Sequence, residues 1–268
     1  MTTPRATVVI PTFDHGPLIG LAVDSALRQS VPVEVFIVGD GVPEVHKPFI
    51  HDLVARDSRV HFFDHPKSPG RGEHYRHAAL THARGEIVCY LCDRDLWLPE
   101  HVAHLLALLQ TADFAHSLSL HIRAGQVEFF AADLAHPVYR HMMLWQVNRV
   151  PLSCAGHTLG FYRRLPEGWG DTPPGVPTDW HMFRKLLGHP DCRCASGTLP
   201  TAITFPSPPR KGWSPQARLD ELRAWQARIA DPAQRQGLLL QLMQLAIRSR
   251  DHEMAAFHAE RMQHRAGT

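Results

Sequence analysis

Over the first hundred residues, short apolar runs alternate with stretches of helical spacing. Residues 7–11 (TVVIP), 33–38 (VEVFIV), 60–64 (VHFFD) and 87–91 (IVCYL) have the length and composition of buried strands. Between them, residues 18–29 set Leu18, Leu21, Ala22, Ser25 and Ala26 on one helical face. Residues 46–56 and 73–83 also read as helices, the second following a flexible loop at 70–72. This alternation leaves few options. Strands joined through helices run parallel, and the helices cover the faces of the sheet.

The pattern loosens after an amphipathic helix at 101–109. Residues 114–123, 126–130 and 199–205 read as further strands, and 166–177 is a loop rich in Pro and Gly. A helix at 179–187 would bury Trp180, Phe183, Leu186 and Leu187. Residues 206–213 (PSPPRKGW) form a linker or lid. From there the chain reads as helical, with openings at Ser214-Pro215 and Asp231-Pro232 and a third helix starting near Asp251. The expected organisation is one α/β domain over 1–213, divided near residue 100, and a helical extension over 214–268. The apolar stripes of that extension would pack on the core or on a second copy of the chain, giving a homodimer.

Composition narrows the function. With 28 basic and 26 acidic side chains the net charge is +2, without the basic excess of a general nucleic-acid binder. Five cysteines, an odd number, fit a reducing compartment rather than a disulfide framework. Cys89 and Cys92 would point to opposite faces of a strand. Cys192 and Cys194 could share one face near His189 and Asp191, which leaves a zinc site there as an alternative. No apolar run approaches the roughly 20 residues of a membrane span, and glutamines interrupt the greasiest stretch, 238–247. The expected location is cytoplasmic, or peripheral at the inner face of a membrane.

The chemistry concentrates at strand ends. In RGEIVCYLCDRDLWLP (84–99), the strand runs into Asp93-Arg94-Asp95. The first strand runs into Pro11-Thr12-Phe13-Asp14, and the second into Gly39-Asp40-Gly41. In α/β proteins ligands bind outside the carboxyl ends of the strands. Carboxylates there can hold a divalent cation and, through it, a diphosphate. The combination points to an enzyme that handles a nucleotide-activated substrate.

Two stretches carry a family resemblance. VVIPTFDHGPLIGLAVDSALRQSVPVEVFIVGDG resembles the opening of family 2 glycosyltransferases of the GT-A fold. YRHAALTHARGEIVCYLCDRDLWLPEHV is similar to their later A-R-N…A-x-G-E…D-x-D-D-x-W-x-P segment. The likeness runs in order from Thr7 to Leu108. Thr178-Asp179-Trp180 resembles the family's acidic motif at the start of a helix. The resemblance implies a Rossmann-like mixed sheet flanked by helices that moves a sugar, with inversion, from a UDP-, GDP- or dTDP-linked donor to a glycan or lipid-linked acceptor, as in polysaccharide biosynthesis. Pro11, Thr12, Phe13, Asp14 and Asp40 would frame the nucleotide, and Arg71, Arg76 and Asp93 would lie along its diphosphate. Asp93 and Asp95 would hold Mn2+ or Mg2+, and Asp179 would act as general base. His157, His181, Lys211 and Trp213 are weaker candidates for the acceptor site or a lid.

The chain also departs from the family pattern. The turn after the second strand usually has two acids, and Gly39 takes the place of the first. Anchored on Trp97 and Pro99, the acidic positions fall at Cys92, Arg94 and Asp95. Either Asp93 and Asp95 act in a shifted register, or metal binding is weakened and Arg94 supplies positive charge. These departures keep open a degenerate fold that binds nucleotide-sugar without turnover. A nucleotidyltransferase is disfavoured, because Thr12-Phe13-Asp14 stands where such enzymes carry a glycine-rich phosphate loop.

Overall fold

The computed structural model describes residues 3–123, 126–130 and 132–266. Its first half is the expected alternation: β1 (Ala6–Thr12), α1 (Leu18–Leu27), β2 (Val33–Gly39), α2 (Lys47–Arg56), β3 (Val60–Phe63), α3 (Glu73–Leu80) and β4 (Ile87–Tyr90). Then come β5 (Leu96–Trp97), α4 (His101–Leu108), β6 (Phe114–Arg123), β7 (Gln126–Phe130), α5 (Pro137–Trp145), β8 (Ala155–Thr158), α6 (Leu159–Tyr162), α7 (Thr178–Gly188), β9 (Cys194–Thr204), α8 (Pro215–Ala230) and α9 (Pro232–Ala266).

One sheet runs through both halves in the order β3-β2-β1-β4-β8-β6-β9-β5, with β7 on β6. The four first-half strands are parallel. At β4 the sheet turns mixed: β8 pairs antiparallel with β4, and β6 antiparallel with β8. Chain order moves outward from β1 through β2 to β3, then returns to place β4 on the other side of β1. This reversal opens a crevice at the carboxyl ends of β1 and β4, where ligands bind in such sheets.

The strands carry near-continuous apolar runs because both faces are covered. Val8, Val9, Ile10, Val35, Ile37, Val38, Val88 and Tyr90 are all buried. A second cluster joins Leu96, Leu98, Leu120, Ile122, Ile203 and Phe205 to Leu222, Ile229, Leu238 and Leu242 of the two tail helices. The tail therefore packs on the sheet domain over its first part. Beyond Leu242 its helix continues as one element through Asp251, so the separate third helix expected there does not form. Leu240, Met243, Ile247 and Met254 are exposed along it.

The linker at 206–213 is fastened. Buried Arg210 is paired with Glu221 of α8 at 2.5 and 2.7 Å, and it donates to the carbonyls of Ile122 and Pro206.

Candidate active site

A cleft of about 500 Å³ opens at the crevice between β1 and β4. Its walls include Pro11 and Thr12 at the end of β1, Phe13, Asp14 and His15 after it, Asp40 after β2, and Asp93 and Arg94 after β4. Lys67, Gly70, Arg71 and Gly72, leading into α3, complete it. Seven of the eight residues expected at the nucleotide thus come together: Pro11, Thr12, Phe13, Asp14, Asp40, Arg71 and Asp93.

Asp93 is held across the crevice. The Thr12 hydroxyl donates to its Oδ2 at 2.7 Å, and His15 Nδ1 lies 3.0 Å from Oδ1. Arg94 Nη1 is 3.9 Å from the same Oδ1. Phe13 projects from the end of β1, partly exposed, with Lys67 Nζ 5.5 Å from its ring centre. Its flat face gives a base a surface on which to stack.

Two glycines allow the wall around Asp40. Gly41 and Gly72 have φ of 77° and 72°. A Cβ on Gly41 would meet the Lys67 backbone within 2.9 Å, and one on Gly72 would meet Asp40 Cβ at 2.9 Å. Only glycine tolerates both the left-handed backbone and such an approach. The loop can therefore lie on the turn, where the Ser68 amide reaches Asp40 Oδ1 at 2.6 Å and Lys67 Nζ reaches Oδ2 at 2.5 Å. Burial by itself would raise the Asp40 pKa, but Lys67 and Ser68 bring it below the ordinary carboxylate value.

The other residues expected at the site lie elsewhere. Asp95 is buried behind the cleft, with the Ser153 hydroxyl on Oδ2 at 2.5 Å and the Phe205 amide on Oδ1 at 2.9 Å. Burial raises its pKa, against the pull of Arg94, Ser153 and the Phe205 amide. Asp93 and Asp95 diverge because the chain turns after β4, where the Asp95 amide bonds back to the Cys92 carbonyl. Arg76 is buried and does not line the cleft; its guanidinium lies 4.5 Å from the Trp169 ring centre. Its Nη2 donates to the Arg71 carbonyl, while Nε and Nη1 have no hydrogen-bond partner among the described residues. Cys92 and Asp179 are both among its electrostatic partners, which links the β4 end to α7.

Asp179 sits in the first turn of α7. Its carboxylate accepts from the Trp180 amide at 2.8 Å and from Asn148 Nδ2 at 3.3 Å. Burial raises its pKa, partly offset by the Trp180 amide, Arg76 and Asn148. His181, two residues on, has a pKa lowered chiefly by burial.

His157 is fully buried within β8 and does not line the cleft. The Tyr90 hydroxyl meets its Nε2 at 2.7 Å and the Thr158 carbonyl its Nδ1 at 3.1 Å, so its place is structural. Lys211 and Trp213 are exposed on the fastened linker and do not line the cleft. Cys192 and Cys194 stand 3.9 Å apart, Sγ to Sγ, as free thiols. Among the described residues no cluster of three His, Cys, Asp or Glu side chains could hold a metal, so the zinc alternative has no ligand set there.

Sequence reasoning missed Lys67, His15 and Ser153. His15 could have been found as the polar neighbour of Asp14 at a strand end. Lys67 and Ser153 gave no local signal, since their roles come from contacts across 27 and 58 positions.

For a divalent cation, the donor set reduces to Asp93 at the inner wall of the cleft and Asp14 at its mouth. Mg2+ and similar ions are commonly bound by one or two carboxylates, with phosphates and water completing the shell. The residues fit such an ion in the single-carboxylate mode on Asp93, and Asp95 is not placed to join it.

The comparisons with known proteins agree with this architecture. The uncharacterized glycosyltransferase EpsJ of Bacillus subtilis (strain 168) is 27% identical over 93 residues, which are 34% of this chain and 26% of that protein. Residues 1–349 of S. aureus TarS superpose with a TM-score of 0.59 at 13% identity, covering 75% of this chain and 60% of that one. A Pyrobaculum calidifontis mannosyltransferase, solved with GDP-Man and Mn2+, gives a TM-score of 0.52 at 19% identity over 80% of this chain and 59% of its own. The chain thus spans about a quarter of EpsJ's length and about 60% of each of these structures. At these identities the structural neighbours establish the fold, a GT-A sheet flanked by helices. The family description "Glycosyl transferase family 2" matches residues 7–167, more than half of the sequence, and the chain belongs to that family.

Proposed function

We propose that this protein transfers a sugar from a nucleotide-diphosphate donor to a glycan or lipid-linked acceptor, with inversion at the anomeric carbon. The observation that carries the reading is the convergence of Thr12, Phe13, Asp14, Asp40 and Asp93 on one cleft at the switch point of a family 2 sheet. Phe13 stacks the base, and the β4 end meets the diphosphate. TarS has been solved with UDP-GlcNAc, and the mannosyltransferase with GDP-Man. UDP-, GDP- and dTDP-sugars are therefore the donors to try.

In this reading residues 1–100 hold the donor, residues 101–213 receive the acceptor and residues 214–268 form a helical extension. Asp179 takes the proton of the acceptor hydroxyl as its oxygen attacks the anomeric carbon. A raised pKa suits a general base, whose strength grows with its pKa while it stays ionised at working pH. Asp93 is the carboxylate that could hold Mn2+ or Mg2+ beside the diphosphate, where a bound ion would add positive charge at the leaving group. The exposed stripe of Leu240, Met243, Ile247 and Met254 supports pairing of the tail with a second copy, which sedimentation equilibrium would test. Among the described residues no helix is long and apolar enough to cross a membrane, which is compatible with action in the cytoplasm or at its membrane face.

The deciding experiment measures nucleoside diphosphate release from a panel of UDP-, GDP- and dTDP-sugars, with wild type and Asp179→Asn. Release by wild type that Asp179→Asn abolishes supports the reading. Nucleotide binding without release from any donor favours the non-catalytic reading, for which Arg94 and Cys92 in the acidic motif are the specific observations.

A further inference from the structure

Arg94 stands among three carboxylates. Asp93 Oδ1 is 3.9 Å from its Nη1, and Asp95 and Asp14 are among its electrostatic partners. The side chain is anchored at its root. Nε donates to the Phe205 carbonyl at 3.2 Å, and the amide of that same residue holds Asp95. Asp95 is fixed in turn by the Ser153 hydroxyl. Arg94 lines the cleft, and its side chain as a whole is 28% exposed. Its terminal nitrogens have no hydrogen-bond partner among the described residues, and so keep their donors for a ligand.

The other cations of the cleft are placed differently. Lys67 directs its three N–H groups to Asp40 and to the carbonyls of Ser68 and Gly70. Arg71 is exposed at the rim. Arg94 alone among these three is both anchored and open toward the end of β4.

In a metal-dependent site, carboxylates gather around a divalent ion that faces the phosphates. Here they gather around a guanidinium. Its charge offsets part of theirs and weakens their pull on an added cation. A guanidinium also matches phosphate oxygens with two parallel N–H bonds, which an ammonium cannot do.

We propose that Arg94 is the cation that grips the donor's diphosphate, so that this cleft takes a nucleoside diphosphate without requiring a divalent metal. The inference rests on the donor-site reading above. In the transfer step, the bond from the anomeric carbon to the diphosphate oxygen breaks, and its electron pair leaves on that oxygen. The acceptor oxygen forms the new bond, and its proton goes to Asp179. Arg94 donates hydrogen bonds to the departing diphosphate and gives up no proton.

The test is calorimetric titration of wild type, Arg94→Gln and Arg94→Lys with UDP, GDP and dTDP, each with Mn2+ and with EDTA. Wild type is expected to bind one nucleotide in EDTA within about threefold of its affinity with Mn2+. Arg94→Gln is expected to lose about 10- to 100-fold in EDTA, in line with a charge-assisted bidentate contact. Arg94→Lys, which keeps the charge among the carboxylates and guards against misfolding, is expected to lose about tenfold. Wild-type binding that appears only with Mn2+ would overturn the inference and leave the donor site standing. EDTA binding unchanged in both variants would overturn it too. No binding of any nucleotide under either condition would overturn the donor-site reading, and this inference with it.

Discussion

Lys67 Nζ lies 2.5 Å from Asp40 Oδ2 at the mouth of the cleft, and the Ser68 amide occupies the other oxygen of the same carboxylate. Both oxygens of the acid in the second-strand turn are thus engaged within the protein. The ion pair spans 27 positions and closes the loop that carries Arg71 onto the end of β2.

Lys67→Met is expected to lower stability by about 1 kcal/mol at pH 7, the upper range for a pair whose lysine is half exposed. The sign follows from Asp40, whose folded-state pKa lies below 3.8. Its contribution is complete above the unfolded carboxylate value and is lost as pH falls through the folded one. Urea midpoints of wild type and variant should differ at pH 7, and the difference should shrink as pH falls below the ordinary carboxylate value. Equal midpoints at pH 7 would mean that the pair holds nothing in place.

Asp179 carries two opposed expectations. As the base, its replacement by Asn should cut turnover by about 10²- to 10⁴-fold while leaving nucleotide affinity unchanged. Burial raises its folded pKa. A raised carboxylate favours the folded state below the unfolded pKa, and that advantage is lost as pH rises through the folded value. Asp179→Asn should therefore be more stable than wild type near pH 8, by about 1 kcal/mol. The turnover of wild type should rise with pH through an apparent pKa above the ordinary carboxylate range. A variant that is inactive and also less stable at pH 8 would speak for a structural role.

Asp93 and Asp95 are two residues apart and should behave as different classes of residue. Asp95→Ala leaves the Phe205 amide and the Ser153 hydroxyl without their buried acceptor. It should cost about 3 kcal/mol, whatever nucleotide is present. Asp93→Asn keeps an oxygen for Thr12 and should cost less than about 1 kcal/mol while removing most of any Mn2+ effect on nucleotide binding. Thermal melts and titrations on the two variants separate these outcomes. Equal loss of stability in both would erase the distinction.

Much of the fold was legible because the parallel strands are buried on both faces and read as near-continuous apolar runs, as in 87–91 and, apart from the buried Glu34, in 33–38. Legibility fell where other features carried the structure. β8 is only AGHT, and β5 only two residues long, so neither has a pattern to read. β9 starts at Cys194, five residues before the expected strand, because Gly197 looks like a break ahead of it. Irregular register against β6 near Leu118 absorbs it. Helix α5 was missed because His136-Pro137 resembles loop, although that histidine caps the helix. At the site, strand-end residues were found because strand ends are visible in sequence. Which of Asp93 and Asp95 faces the cleft was not, since the chain leaves extended geometry at the Cys92–Asp95 turn and alternation no longer applies.

Twenty histidines raise the question of acid stability, and two that are fully buried, His157 and His101, contribute to the answer. Burial lowers His157 to about 4 and His101 to about 3. His157 sits in a chain of hydrogen bonds in which the indole of Trp169 donates to the Tyr90 hydroxyl at 2.8 Å and that hydroxyl donates to Nε2. His101 pairs with the Thr201 hydroxyl through Nδ1 and stacks on Trp97 at 4.3 Å. In the unfolded chain both take up protons near pH 6.5, whereas in the folded chain they stay neutral to about 4 and 3. Stability present above pH 6.5 is therefore lost as pH falls toward those folded values. The slope is up to about 1.4 kcal/mol per pH unit for each histidine. Urea unfolding at pH 7, 6 and 5 should show this decline. His157→Gln, which can keep an acceptor near the Tyr90 hydroxyl, should start less stable at pH 7 and lose stability less steeply below it. An unchanged slope in that variant would move the acid sensitivity to His101, to His121, which burial also lowers to about 4, or to the carboxylates.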